Sequence, residues 1–126
     1  GGPAEVPAAA KIVEMAGPNA FNLCGQLSLH QSASVVKQAD KVITHDSGLM
    51  HIAAAFKKEI VSIWGNTIPE FGMYPFYPAG KARNVTMEVK NLPCRPCSKI
   101  GFGRCAKGHF SCMNGQDLEK IQASLK

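Results

Sequence analysis

Apolar and polar positions change rhythm several times along this chain, and each change marks an element. Ala9, Ile12, Val13 and Ala16 recur at helical spacing, with Pro7 tolerated near the start and Gly17-Pro18 closing the run, so a helix is expected there. Phe21-Asn22-Leu23-Cys24 reads as a short strand closed by Gly25. Ser28 and Gln31 have the spacing of a capping box, opening a helix whose Leu29, Ala33 and Val36 share a face. Lys41-Val42-Ile43-Thr44 has strand character, and Leu49, Ile52, Ala53 and Phe56 then fall at i, i+3, i+4 and i+7 of a helix. Lys57 and Lys58 suit the negative end of that helix. Residues 60–64 read as a buried strand, 65–80 as a loop rich in Pro, Gly and aromatics, and 84–89 as a further strand. A cysteine-bearing loop covers about 93–113, and Leu118, Ile121 and Leu125 define a closing helix at about 116–125.

Strands alternating with helices predict an α/β fold, a Rossmann-like parallel sheet flanked by helices and joined by right-handed crossovers. With 126 residues the chain is expected to form one domain, 1–126, with its own core. Ligands of such sheets sit outside the carboxyl ends of the strands. The loops at 25–29, 46–51 and 65–67 all follow expected strands, so they should line one rim.

The stretch His45-Asp46-Ser47-Gly48-Leu49-Met50-His51 carries the clearest chemistry. A strand runs into a polar turn containing glycine, and a helix begins at once. A helix start presents unpaired N–H groups and the positive end of the dipole, which suits an anion. Asp46 and Ser47 are also residue types that cap helices. A carboxylate repels a diphosphate, so the division that works gives the phosphates to the Ser47, Gly48 and Leu49 amides and the Ser47 hydroxyl. Asp46 is then left to accept hydrogen bonds from sugar hydroxyls. A nucleotide sugar carries both groups side by side. The alternative is that Asp46 only caps the helix. His51 could donate to a phosphate oxygen, or be a packed, hydrogen-bonded residue of an apolar helix. His45 should point away from Asp46 if the strand continues that far, and no standard zinc spacing includes it.

The same residues carry a family resemblance. Asp46 to Ala55, Asp-Ser-Gly-Leu-Met-His-Ile-Ala-Ala-Ala, resembles the Asp-[Ser/Thr]-Gly-x-x-His-x-Ala-Ala motif of glycosyltransferase family 9, which includes the heptosyltransferases of the lipopolysaccharide inner core. Gly1-Gly2-Pro3-Ala4-Glu5 resembles the turn after the first strand of that family's C-terminal half. Leu23-Cys24-Gly25-Gln26-Leu27-Ser28-Leu29 resembles its Gly-x-x-Ser-Leu loop, and Ser62-Ile63-Trp64-Gly65-Asn66-Thr67 its Phe-Gly-x-Thr strand end. Cys94-x-x-Cys97, Cys105 and Cys112-Met113 resemble the cysteine loop of some heptosyltransferases. The resemblance implies the C-terminal, donor-binding half of a two-domain GT-B-type enzyme. ADP-heptose is then the implied donor and the anionic lipopolysaccharide core the acceptor, with inversion at the transferred carbon. It also implies a base, an aspartate, in an N-terminal domain of the same chain, so this fragment alone should bind donor without turnover. A cytoplasmic enzyme, peripheral at the inner membrane, is the matching location. Gly1-Gly2-Pro3 reads as a turn with no strand before it, which fits a fragment cut just after a strand. Glu5 is expected to meet ribose hydroxyls, although a helix first turn equally favours a glutamate. Gly25 and Leu27 are expected to flank the base.

Composition narrows the field further. The charged and apolar shares are those of a globular protein, no apolar run reaches membrane-span length and no signal peptide opens the chain. The net charge of +5 suits an anionic acceptor, but no Lys/Arg run interleaved with aromatics marks a nucleic-acid face. Gly-x-Gly-x-x-Gly and Gly-Lys-[Ser/Thr] are both absent, which disfavours dehydrogenase and P-loop chemistry. No cofactor is required for the transfer, since a helix N-terminus can stabilise a departing diphosphate without metal. Cys94, Cys97, Cys105 and Cys112 have the ligand count of a structural zinc site, with His109 in reserve; disulfides or plain reduced thiols are the alternatives. Cys24 reads as a core thiol. Two rival functions remain: a stand-alone module binding a nucleotide or sugar phosphate without catalysis, and a zinc-ribbon protein binding nucleic acid.

Overall fold

The computed structural model describes residues 1–78 and 83–126. Position 80, the end of the expected 65–80 loop, and its neighbour 79 lie outside the described residues. The chain forms two compact units, Gly1–Val35 and Val36–Lys126.

In the first unit a short 3-10 turn, Pro3–Glu5, leads into α1, Val6–Ala16. Pro7 falls in the first turn, where its missing N–H costs nothing. Gly17 closes the helix at φ 85°, its N–H reaching the Val13 carbonyl at 3.0 Å. The expected strand at Phe21–Cys24 does not form. Asn22 takes its backbone out of any ladder: its Oδ1 accepts from the Cys24 N–H at 3.0 Å and its carbonyl accepts from Gln26 Nε2 at 2.8 Å. Local side-chain bonding of this kind competes with sheet pairing, and here it wins. The capping box forms as its spacing predicts. Ser28 N donates to Gln31 Oε1 at 2.8 Å and Gln31 N to Ser28 Oγ at 3.3 Å. They open α2, Leu29–Gln38, which runs into the second unit.

The second unit holds a three-stranded parallel sheet in the order β1 (Lys41–His45), β2 (Glu59–Trp64), β3 (Asn84–Glu88). Ile43 pairs with Val61 and Val61 with Val85, which fixes the register. Ile60, Val61, Ser62 and Trp64 of β2 are buried, as the central strand of a parallel sheet must be. Between β1 and β2 runs α3, Gly48–Ala55, which packs on both strands. Its buried face is Met50, Ala53 and Ala54, set against Ile60 and Trp64. The spacing predicts Leu49, Ile52, Ala53 and Phe56 instead; of these only Ala53 is buried, and Phe56 is exposed. The helix is apolar almost all round, so periodicity does not select the stripe; the two adjacent alanines, which let the helix lie close to the sheet, do. Val36 of α2, Val42, Met73 and Tyr77 complete the cluster.

Two short helices follow the sheet: α4, Ser111–Asn114, and α5, Leu118–Ala123. Asp117 caps α5, its Oδ1 accepting from Lys120 N at 2.9 Å, and the helix is shorter than its expected span.

Candidate functional site at the carboxyl ends of the strands

β1 ends at His45 and β2 at Trp64, so Asp46 and the Gly65-Asn66-Thr67 turn emerge side by side from neighbouring parallel strands. The Thr67 hydroxyl donates to Asp46 Oδ2 at 3.3 Å, bridging the two turns. Asp46 is therefore not the cap of α3. Ser47 holds the N-cap position in extended geometry, and its side chain makes no capping hydrogen bond. The Ser47 hydroxyl instead lies 3.1 Å from Thr44 Oγ1. A methyl group built on Gly48 would meet nothing within 4 Å, so the backbone there is open to an incoming group.

A cavity of about 260 Å³ opens at this rim. From the strand ends it is lined by His45, Asp46, Ile63, Gly65, Asn66 and Thr67. From the cysteine-bearing segment it is lined by Ile100, Phe110, Cys112 and Met113. Pockets that enclose whole drug-sized ligands run to roughly 300–1,000 Å³, so this one suits part of a nucleotide sugar rather than all of it. His45, expected to face away, shares the cavity with Asp46, its Nδ1 lying 3.0 Å from the Ile63 carbonyl.

Other expected site residues are placed differently. Ser47, Gly48, Leu49 and His51 lie at the start of α3 but outside the cavity wall. His51 is exposed and so is not the packed core histidine of the alternative reading. Glu5, Gly25 and Leu27 belong to the first unit. There the Glu5 carboxylate accepts the Gly2 N–H. Gly25 sits at φ 70°, and a Cβ on it would stand 3.2 Å from the Pro3 backbone, which accounts for the glycine structurally.

The cysteine-bearing segment is sewn onto the β2 turn. Arg95 Nε donates to the Gly65 carbonyl at 2.6 Å, Cys97 N to the Asn66 carbonyl at 2.9 Å, and Arg95 Nη2 to the Thr67 carbonyl at 2.9 Å. Asn66 returns the contact, its Nδ2 donating to the Phe102 carbonyl at 2.7 Å. Arg95 Nη1 also pairs with Glu88 Oε2 at 2.7 Å, with side chains only 6% and 10% exposed. Gln116 Nε2 ties the Trp64 carbonyl to that of Cys112. None of these partners was evident from sequence, because no local pattern links an arginine between two cysteines to a turn 30 residues earlier.

The four cysteines expected from their spacing to ligate zinc come together in the fold. Cys94, Cys97, Cys105 and Cys112 line one cavity of about 210 Å³ together with His109, and all are free thiols. Among the described residues, however, no group of three or more His, Cys, Asp or Glu is arranged to hold a metal ion. Two of the sulfurs have partners within the loop: Cys97 Sγ donates to the Cys94 carbonyl at 3.4 Å, and Cys94 Sγ lies 3.8 Å from His109 Nε2. His109 Nδ1 accepts the Ser111 N–H at 3.0 Å, which leaves the ring proton on Nε2, the nitrogen facing Cys94. Burial pushes the Cys97 thiol up, and the nearby Cys112, Cys94 and Cys105 sulfurs add to this. The amide N–H of Phe110, followed by those of Lys107, His109 and Gly108, draws the Cys105 thiol down against some opposing burial.

Comparison with known proteins agrees with the sequence reading. Residues 1–102 match the family model of glycosyltransferase family 9 (heptosyltransferase). Lipooligosaccharide heptosyltransferase 2 of Campylobacter jejuni subsp. jejuni serotype O:6 is 30% identical over 105 residues, 83% of this chain and 31% of the relative. Lipooligosaccharide heptosyltransferase 2 of Haemophilus influenzae and lipopolysaccharide heptosyltransferase 2 of Escherichia coli are each 38% identical over 50 residues, 40% of this chain and 14% of theirs. A crystal structure of a family 9 glycosyltransferase from Veillonella parvula superposes with a TM-score of 0.72 at 21% identity, covering 98% of this chain and 33% of that one. The chain thus spans about a third or less of the length of each of these proteins.

Proposed function

This chain belongs to glycosyltransferase family 9, the heptosyltransferase family, and from that premise we propose that it is the donor-binding half of a two-domain transferase. The donor is a nucleotide sugar, ADP-heptose, and the acceptor is the anionic lipopolysaccharide core. The observation that carries this reading is the state of Asp46. Its carboxylate stands at a strand's carboxyl end, lining a cavity, beside a helix start whose N-cap side chain, Ser47, makes no capping hydrogen bond. A carboxylate next to open N–H groups matches the two halves of a nucleotide sugar, hydroxyls and diphosphate.

The roles follow from charge and geometry. The amides of Ser47, Gly48 and Leu49 and the Ser47 hydroxyl hold the diphosphate, and the positive end of α3 stabilises it as it departs. His51, exposed in the second turn of α3, donates to a phosphate oxygen. Asp46 accepts from hydroxyls of the sugar and fixes its orientation. The acceptor's proton leaves to a base on the N-terminal domain, so 1–126 alone turns nothing over. No metal is needed for this chemistry. No helix among the described residues is long and apolar enough to cross a membrane. The enzyme works from the cytoplasm, at the inner face of the membrane that carries its acceptor.

The test is turnover by the full-length protein across a panel of nucleotide sugars with lipopolysaccharide core as acceptor, alongside calorimetric binding of ADP and ADP-heptose. Selective use of ADP-heptose is expected. Binding of nucleotide without transfer to any acceptor would instead favour a non-catalytic binding module.

A further inference from the structure

We propose that Arg95 is a positioning residue of the donor site, holding Thr67 so that Thr67 can hold Asp46. The proposal rests on the donor reading of Asp46 given above. Its basis is a continuous set of contacts. The Arg95 guanidinium bonds the carbonyls of Gly65 (2.6 Å) and Thr67 (2.9 Å), and through Nη1 the Glu88 carboxylate (2.7 Å) and the Val89 carbonyl (3.2 Å). Gly65 follows β2 and Glu88 ends β3, so one buried cation ties together two strand ends on the rim where the cavity opens. Thr67, 7% exposed and held by its carbonyl, then presents its hydroxyl to Asp46 Oδ2.

Stability alone explains this arrangement poorly. A buried ion pair is often no better for folding than well-packed apolar side chains of similar volume. What a guanidinium does, and an apolar residue or a lysine cannot, is to aim several donors in one plane at fixed angles. Here that plane faces two carbonyls of the turn while Cys97 N takes the carbonyl between them. All three carbonyls of the turn are therefore held from the cysteine-bearing segment, and from the turn so held the Thr67 hydroxyl meets Asp46. A carboxylate oriented in advance binds hydroxyls without first losing rotamer freedom.

The experiment is a double-mutant cycle in the full-length protein, with ADP-heptose as donor. Arg95→Lys keeps a cation for Glu88 but cannot span the turn; Thr67→Val removes only the hydroxyl. Each should lower kcat/KM for donor about tenfold, the lower end of what a hydrogen bond to a charged group is worth. Because both act on Asp46 through one contact, the double variant should also lose about tenfold rather than the hundredfold of independent effects. A hundredfold loss, or wild-type kcat/KM in Arg95→Lys, overturns the proposal. Should Arg95→Lys fail to fold, Arg95→Met/Glu88→Gln removes both charges and strands neither. A folded protein of that kind with undiminished donor kcat/KM overturns the proposal equally. If the wild-type protein uses no nucleotide sugar, the donor reading itself fails and Arg95's role falls with it. Normal use by wild type and by Arg95→Lys alike sinks only the role of Arg95.

Discussion

The Thr67 hydroxyl meets the Asp46 carboxylate across the gap between two parallel strand ends, at 3.3 Å. Asp46 is therefore employed by a side chain from another turn, not by the helix that follows it, and this separates its functional and structural roles. Asp46→Ala in the full-length enzyme should lower turnover roughly ten- to a hundredfold, as loss of a hydrogen bond from a charged group does. Its melting temperature should fall only slightly, since no helix cap is lost and the Thr67 hydroxyl gives up a single 3.3 Å bond at the wall of an open cavity. Asp46→Asn should also be impaired, because the amide keeps an acceptor for Thr67 but not the charge. Full activity in Asp46→Asn would show that the carboxylate is structural.

Trp64 and Ser62 lie on the same face of β2, both fully buried, and the indole Nε1 donates to Ser62 Oγ at 2.9 Å. Ser62→Ala leaves that N–H without a partner in the core. It should cost about 1–3 kcal/mol of stability, read from a denaturant midpoint. Trp64→Ala should cost about 3–5 kcal/mol through the cavity it opens. Because Trp64 unites α3 with the sheet, an unchanged midpoint in Trp64→Ala would mean that this cluster is not the core.

The thiols of the cysteine-bearing segment should separate by pH. Backbone N–H groups favour the Cys105 thiolate, while burial and neighbouring sulfurs disfavour that of Cys97. As pH rises, Cys105 should be alkylated by iodoacetamide first and Cys97 later, because the thiolate is the reactive form. Mass spectrometry of protein quenched at successive pH values reads the order directly; Cys97 labelled ahead of Cys105 would contradict it.

What the sequence made legible was local. The change from strand to turn to helix at 44–48 lies within one short window, and the Ser28–Gln31 box within four residues, so neither depends on distant partners. The misreadings arise where another contact decides. Phe21–Cys24 has strand composition, but Asn22 bonds its own neighbourhood. The apolar surface of α3 offered two stripes, and packing against Ile60 and Trp64 chose Met50, Ala53 and Ala54. The cysteine spacing likewise does not reveal the partners that Cys94, Cys97 and His109 take within their own loop. The site's far wall comes from that same loop; Cys112 and Met113 stand in the cysteine motif, but Ile100 and Phe110 belong to none.

Gly48 offers the sharpest separation of stability from binding. It occupies the first position of α3, and a Cβ there would meet nothing within 4 Å. It also lies outside the left-handed region of φ, unlike Gly72 or Gly101. Gly48→Ala should therefore leave the fold as stable as before or slightly more so, by up to about 1 kcal/mol, since alanine loses less backbone entropy in a helix. If the Gly48 amide holds the donor diphosphate, however, the added methyl stands where a phosphate oxygen must approach. Donor KM in the full-length enzyme should then rise while the melting temperature holds or climbs. Gly101→Ala provides the contrast: at φ 76°, with its Cβ 2.5 Å from Asn66 Oδ1, it should lower the melting temperature outright. A Gly48→Ala enzyme with unchanged donor KM would place the diphosphate away from the start of α3, and the helix N-terminus would no longer serve as its binding site.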